Sequence, residues 1–388
     1  MKNTVPIIVQ TVAKHSYWVE SILTGLRKSA EKNFYELDFI GKTDALDRSD
    51  YAGHGLIIVI GYVVDWLYRT LDILLKKGFV PIVVNAGVSD TMLEKCSSVY
   101  FRLEESMKYA IEYLTSADRK NICLFGVNNM SLADRIKEDT FLRVMSRDSE
   151  DPRELVIRGK NPLSEHMEEL FNCLEEREID AVICSNDTLA IHLMNCMLRG
   201  GFKIPDDLYI VGMGNSLLGQ KMAIPLSSIE FDYVELGSQA FSMWRYLQRS
   251  GARVHVEVAI PCRFIPRAST GMFIQTETDY NRFFEDIPYD RDIEIDGDEF
   301  YDDEDIQKVL KFEIFLRSCD KIDNFVLEGI VQGMSDAKMA DMYNISDRAI
   351  RYRINKMTKK LGVQSRDEIV SIIKDLRMFS DFIDKSDV

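Results

Sequence analysis

The sequence predicts an α/β protein of two lobes on parallel sheets, followed by a small all-α domain. Three observations carry this. Short, near-continuous apolar runs alternate with helix-length amphipathic stretches up to about Thr270. The alternation breaks over an acid-rich stretch from Ile274 to Asp305. After that stretch every apolar pattern has helical spacing.

The predicted strands are VPIIVQ, GLIIVIG, VPIVVN, NICLFGV, ELVIRG, DAVICSN, LYIVGMG and SSIEFDY. Runs this continuously apolar suit parallel strands covered on both faces. Between them lie amphipathic helices such as SYWVESILTGLRKSAEK, RLEESMKYAIEYLTSA and DTLAIHLMNCMLRGG, the last stopped by Gly200-Gly201. Eight strands are many for one sheet, so two lobes are expected.

At 388 residues the chain has room for two or three cores. Its 46% hydrophobic and 29% charged residues suit a globular protein, and no run of about 18 apolar residues offers a bilayer span. The first residues carry no apolar core or cleavage site of a secretory signal, which points to the cytoplasm. The seven cysteines are scattered inside apolar runs, without CxxC pairs or metal spacing, as reduced core thiols are. No HExxH, GxSxG, P-loop or strand-GxGxxG motif occurs. His15, His54, His166, His192 and His255 are dispersed, so no enzyme, cofactor or metal site is expected.

The stretch 273–305 reads as a solvated acidic linker. Asp292, Glu294, Asp296, Gly297 and Asp303 approximate an EF-hand loop, but Asp stands at its last position and Pro288 spoils the entering helix, so calcium is not expected. Residues 306–388 read as the helical domain, and Ser335, Ser346 and Ser365 are placed as N-caps. Within it, Arg348 to Lys360 holds Arg348, Arg351, Arg353, Lys356, Lys359 and Lys360 and no acid, in a chain of net charge -15. A short helix, a tight turn at Ile345 and this basic helix have helix-turn-helix spacing. Arg351, Tyr352 and Asn355 fall on the outer face, and Lys356, Lys359 and Lys360 trail toward phosphates. The plain alternative is a solvated basic face on a helical bundle.

The stretch GMSDAKMADMYNISDRAIRYRINKMTKKLGVQSRDEIV resembles the LuxR/GerE helix-turn-helix family, through Gly333, Ser335, Ala340, Ile345, Ser346, Ile350, Arg351, Lys360, Leu361, Gly362, Val363, Ser365 and Arg366. That resemblance implies double-stranded DNA as partner. It puts Arg351, Tyr352 and Asn355 at base-facing positions, with Lys338 and Arg348 nearby, and makes the last helix a dimer contact. Lys338 is displaced by one position from the family's usual Lys-Glu pair, and Arg353 stands where histidine is common. Gly329 replaces a usual leucine and should weaken its helix.

The larger part resembles the LacI/GalR family's effector-binding core, a periplasmic-binding-protein type I fold. The carriers are Asn186-Asp187, Ile204-Pro205-Asp206-Asp207, Val211-Gly212, Pro225-Leu226-Ser227-Ser228-Ile229, Leu236-Gly237 and IPRAST. The resemblance implies residues 1–272 as two lobes joined by three crossovers, lobe 1 about 1–119 and 230–258, lobe 2 about 120–229 and 259–272. It implies a small-molecule effector, sugar-like or another small polar ligand, in the cleft between them. Asn186 and Asp187 should face that cleft. Lys137 stands where the family has a ligand-binding arginine, with Arg135 two residues before it. Gly214 and Asn215 stand where an aspartate usually grips ligand hydroxyls, and the missing carboxylate removes a bidentate contact. Tyr17, Trp18, Tyr62, Phe231 and Tyr233 fall near the cleft, where stacking and plain core packing are both open. For Asn186 a helix N-cap role is compatible with ligand contact.

No counterpart of the family's N-terminal DNA-binding headpiece is expected before the first predicted strand, and the resemblance puts the reader at the C-terminal end instead. The expected function is a ligand-responsive, homodimeric transcriptional regulator. The alternative is a regulator whose α/β part has lost its ligand and serves dimerisation or protein partners. A solute-binding transport protein fits less well, given the DNA reader. The acidic block Glu294 to Asp305 is a spacer or a cover for the basic helix, and both stay open.

Overall fold

The computed structural model describes residues 4–10, 17–41, 46, 55–85, 95–146, 151–159, 163–251, 254–272 and 303–378. His15, His54, the EF-hand-like stretch up to residue 302 and most of the acidic block lie outside them. In chain order the first half holds β1 (Thr4–Val9), α1 (Tyr17–Lys32), β2 (Glu36–Phe39), β3 (Leu56–Ile60), α2 (Val64–Lys76), β4 (Val80–Val84), β5 (Ser97–Phe101), α3 (Leu103–Ser116), β6 (Ile122–Val127), α4 (Leu132–Met145), β7 (Val156–Arg158) and α5 (Leu163–Glu176). Then come β8 (Ala181–Cys184), α6 (Asp187–Arg199), β9 (Tyr209–Met213), α7 (Leu217–Lys221), β10 (Ser227–Glu230), α8 (Tyr233–Ser250), β11 (Glu257–Ile260) and β12 (Arg263–Ile265). The helical end is α9 (Glu304–Arg317), α10 (Lys321–Val331), α11 (Asp336–Tyr343), α12 (Asp347–Leu361) and α13 (Arg366–Asp375).

The strands form two sheets, ordered β11-β5-β4-β3-β1-β2 in lobe 1 and β12-β10-β9-β8-β6-β7 in lobe 2. All pairings are parallel except β10 with β12. The chain passes between lobes after α3, after β10 and after β11. The eight strands read from apolar runs are β1, β3, β4, β6, β7, β8, β9 and β10. The missed ones have weaker signals. β2, β11 and β12 lie at sheet edges, where one flank needs no apolar cover, and β5 opens with the fully buried Ser97 and Ser98.

Helices α1 and α8 cross tightly across lobe 1. A side chain at Gly25 would overlap the Val234 carbonyl, and one at Gly237 would overlap the Ile22 carbonyl. Two glycines facing each other's backbone therefore set the crossing distance. Lobe 1 keeps an apolar cluster on each face of its sheet. Lobe 2 differs. Its core runs without a break into the helical end, through Ile306, Val309, Phe312, Phe315 and Leu316 of α9 to Val326, Ile350, Met357 and Ile369. Asp303 N-caps α9 by accepting from the Asp305 and Ile306 amides, so this helix begins inside the stretch read as linker. α9 packs on α6 and α7 on one side and on α12 on the other. Beyond α13, the Ala223 amide donates to the Arg377 carbonyl at 2.9 Å, and Met222 and Met378 form an antiparallel bridge. All seven cysteines are free thiols. No described helix is long and apolar enough to cross a membrane.

Candidate functional site

α1 begins, and α6 and α7 follow β8 and β9, at the C-terminal ends of parallel strands, and there Tyr17 of lobe 1 meets Gly214 of lobe 2. Lobe 1 contributes aromatic rings there. Tyr17 and Trp18 open α1, Tyr62 follows β3, and Phe231 and Tyr233 lie where the chain crosses from β10 to α8. Tyr17 meets Tyr233 edge-on at 5.9 Å between centroids, and Trp18 lies 6.2 Å from both Tyr62 and Tyr233. Phe101, at the end of β5, completes the group at 5.2 Å from Phe231 and 5.3 Å from Tyr233. The sequence reading missed Phe101 because it missed β5. The Tyr17 hydroxyl reaches across to the Gly214 carbonyl at 3.5 Å. Burial pushes the Tyr17 and Tyr233 hydroxyls well above the usual tyrosine range.

The polar residues expected to grip a ligand are held by the protein itself. Asn186 N-caps α6, its Oδ1 accepting from the Leu189 amide at 3.0 Å, and its Nδ2 donates to Ser185 Oγ at 3.4 Å. Asp187 is buried and accepts from the Ser216 amide at 2.5 Å and Ser228 Oγ at 2.7 Å, which pins the turn after β9. Burial raises the Asp187 carboxyl, against the pull of those two donors. The Lys137 ammonium donates to Asp134 at 2.7 Å and to the Ser185 carbonyl at 2.9 Å, and Arg135 donates to the Asn129 carbonyl at 2.5 Å. Asn215 donates to Glu230 at 2.8 Å and accepts from the buried Arg267 at 2.6 Å. Arg267 also donates to the Leu226 carbonyl at 2.6 Å; an arginine inside the apolar IPRAST turn was the available signal for this bracket.

Gly214 has φ +129°, a backbone shape that L side chains rarely adopt, and a Cβ there would lie 3.4 Å from the Tyr17 hydroxyl. Any side chain at this position would therefore be strained.

Two residues of α9 reach this region, and no sequence signal pointed to them. The buried Glu313 carboxylate accepts from the Leu217 and Leu218 amides at 3.0 and 2.7 Å, the open N-terminus of α7. Arg317, one turn on, pairs with Glu313 at 2.6 Å and lays its guanidinium 4.0 Å above the Tyr17 ring centroid.

The second candidate surface is on α12. Ser335, Ser346 and Ser365 cap α11, α12 and α13 through amides three residues on. Asn344 at φ +53° makes the turn between α11 and α12. Met339, Ala340, Ile350 and Met357 are buried where these helices meet. A Cβ at Gly329 would overlap the Met339 side chain, so this glycine lets α10 approach α11 closely. Arg348, Arg351, Tyr352, Asn355, Lys359 and Lys360 are exposed, Tyr352 at 70%, and so is Lys338 on α11. Lys356 is half-buried and turned inward, its ammonium 2.8 Å from Asp323. Arg353 pairs with both Asp320 and Asp323. Lys360 donates to the Ser318 carbonyl at 3.4 Å. Among the described residues, no group of three or more His, Cys, Asp or Glu side chains is arranged to hold a metal ion.

Residues 111–270 match the family model for the periplasmic binding protein-like domain, and residues 324–373 match that for bacterial regulatory proteins of the luxR family. The HTH-type transcriptional regulator DegA of Bacillus subtilis is 27% identical over 116 residues, 30% of this chain and 34% of that protein. The chain thus spans about a third of that relative's length. The HTH-type transcriptional regulator GalR of Streptococcus thermophilus is 26% identical over 246 residues, 61% of this chain and 72% of that one. A LacI transcriptional regulator from Bacillus cereus subsp. cytotoxis superposes with a TM-score of 0.60 at 18% identity, covering 69% of this chain and 98% of its own, which is a likeness of fold. With its two crossover-linked sheets and its capped helical end, the chain carries a LacI/GalR-type periplasmic-binding-protein-like domain followed by a luxR-family helix-turn-helix.

Proposed function

We propose that this protein is a DNA-binding transcriptional regulator whose C-terminal helix α12 reads the major groove of double-stranded DNA. The observation that carries the reading is the sorting of charge on α12. Arg353 and Lys356 are neutralised by acids inside the domain, while Arg351, Tyr352 and Asn355 stand exposed, with Lys359 and Lys360 beyond them. A helix that keeps its inner cations paired and its outer ones open to solvent suits phosphate and base-edge contact. A homodimer working in the cytoplasm goes with this reading, since two readers would match a two-fold site. The test is selection of genomic fragments by the full-length chain, followed by footprinting. A protected, sequence-preferred site is expected. Uniform binding of all fragments, or none at low salt, would overturn the reading.

In this reading a small molecule between the lobes modulates DNA binding. The aromatic group of Tyr17, Trp18, Tyr62, Phe231 and Tyr233 supports a ligand with a ring or an apolar face, a sugar-like compound included. A specific observation favours a second reading. Lys137, Asn186, Asp187 and Asn215 all spend polar groups on internal bonds. That pattern suits an α/β part that binds no small molecule and acts through subunit or protein contacts. A thermal-shift screen of sugars, nucleosides and amino acids decides between them. A stabilising compound whose effect Trp18→Ala abolishes supports the first reading.

A further inference from the structure

Helix α9 holds both walls of the cleft. On the lobe 2 side, the Glu313 carboxylate accepts from the Leu217 and Leu218 amides, immediately after the turn that contains Gly214 and Asn215. Charge-assisted bonds of this kind to a helix N-terminus hold strongly. On the lobe 1 side, the Arg317 guanidinium covers the Tyr17 ring. Tyr17 returns to lobe 2 through its hydroxyl and the Gly214 carbonyl. The contacts close a ring that runs from Tyr17 to Gly214, along the turn to α7, through Glu313 to Arg317 and back to Tyr17. The Arg317 and Glu313 side chains are only 13% and 8% exposed. A cation over a ring gains most where water is excluded.

We infer that Arg317 is a positioning residue of the interlobe cleft: it fixes the pose of Tyr17 and so joins the lobe 1 wall to α9, which packs on the reading helix α12. A molecule entering between Tyr17 and the Gly214 turn must stack beside the guanidinium or displace it. Either event is felt on α9. The inference rests on the cleft reading above only for what moves the lobes, because the contact exists without a ligand. A residue of the C-terminal helical end thereby completes a wall built by Tyr17 and the turn before α7.

The test is hydrogen exchange of the full-length chain, with neither ligand nor DNA present. Arg317→Met keeps the apolar stem and removes the charge, whereas Arg317→Lys keeps a cation. Tyr17→Leu removes the ring, whereas Tyr17→Phe keeps it. Each pair is read on the other side of the cleft. With Arg317→Met, the first hydrogen-bonded amides of α1, Ser21 to Leu23, should exchange about tenfold faster, and Arg317→Lys should restore most of their protection. With Tyr17→Leu, the last turn of α9, Phe315 to Ser318, should speed up by a similar factor, as reciprocal coupling requires, and Tyr17→Phe should leave it slow. Amides of β8 serve as the folding control. The inference falls if Arg317→Met alters α9 alone, or if Arg317→Lys behaves like Arg317→Met. Should Arg317→Met also unprotect β8, the Tyr17 pair, which removes nothing from α9, decides. If the variants behave as expected while every compound in the thermal-shift screen fails, the ligand reading falls and the coupling stands.

Discussion

Arg353 on α12 donates to the buried carboxylate of Asp323 on α10 at 2.5 Å. The same carboxylate holds Lys356 at 2.8 Å, with its own side chain only 2% exposed. Asp323 also closes a capping box with Asp320, so one residue orients α12 and begins α10. Asp323→Asn leaves two cations facing a neutral amide. The expected loss is about 2–3 kcal/mol, below the full cost of breaking a buried pair because both cations are partly solvated. Urea unfolding measures it. Asp320→Asn, at a half-exposed carboxylate, should cost less than about 1 kcal/mol.

The inward turn of Lys356 separates it from its neighbours on DNA. Arg351→Ala should cost about 1–3 kcal/mol on the preferred site if its guanidinium reads a base edge. Lys359→Ala should weaken all sequences alike and reduce the salt slope by ~0.9. Lys356→Ala should leave that slope unchanged, because its charge is already spent on Asp323. Fluorescence anisotropy across a salt series checks all three, and a slope change for Lys356→Ala equal to that for Lys359→Ala would contradict this account of α12.

Asn186→Ala should cost about 1 kcal/mol of stability through the lost cap on α6 alone. Asn186→Ser keeps a capping oxygen and should recover most of that loss. Any ligand contact by Asn186 is then the part of an affinity change that Asn186→Ser does not restore, read by calorimetry with a compound that passes the screen.

Gly25→Ala and Gly237→Ala each drive a methyl into a carbonyl of the facing helix. Backbone cannot rotate aside as a side chain can, so each change should cost at least the ~1–3 kcal/mol of ordinary overpacking. The two sites share one crossing, and the double variant should fall short of the sum. Thermal melts of the three proteins test this.

His192 gives a pH dependence with a fixed sign. Burial between α6 and the start of α9 holds its pKa below the usual 6.5, against the opposing pull of Asp303 and Asp305. The unfolded histidine gains its proton at 6.5 and the folded one only at lower pH. Its contribution is therefore constant at neutral pH and turns unfavourable as pH falls through that value. His192→Gln should flatten this part of the stability curve between about pH 7.5 and about pH 5.5, as followed by urea midpoints.

The sequence made the architecture legible wherever burial is two-sided. Runs such as GLIIVIG and DAVICSN have no other use, and they became β3 and β8. The signal failed at Ser97 and Ser98, because buried hydroxyls inside a strand look like loop chemistry. The capped helices after Ser335, Ser346 and Ser365 were legible because a cap is a local event. Gly329 was read only as a weak point in its helix, and the packed structure adds that Met339 takes the space a side chain would need. The rings of Tyr17, Trp18, Tyr62 and Tyr233 do meet, yet the hydrogen-bond partners of the polar residues named with them were not legible. Asn215 faces Arg267 and Glu230, partners distant in sequence. Glu313 and Arg317 were invisible for the same reason: an i, i+4 acid–base pair on a helix reads as surface until its partners are known.

The unbroken core shared by lobe 2 and the helical end bears on how this molecule melts. Cooperative units follow shared apolar contacts, whatever the functional labels of the parts. Lobe 1 has clusters of its own on both faces of its sheet, whereas Phe312 and Phe315 of α9 belong to the same cluster as Phe125 and Phe141 of lobe 2. Heat should therefore divide the chain between its two lobes, leaving the helical end attached to the second. Calorimetry would then record two transitions, with loss of α12 coinciding with loss of β8 and separate from loss of β3. The seam of the melting process lies inside the α/β part, so excising the helices after Asp303 should cut through a single cooperative unit.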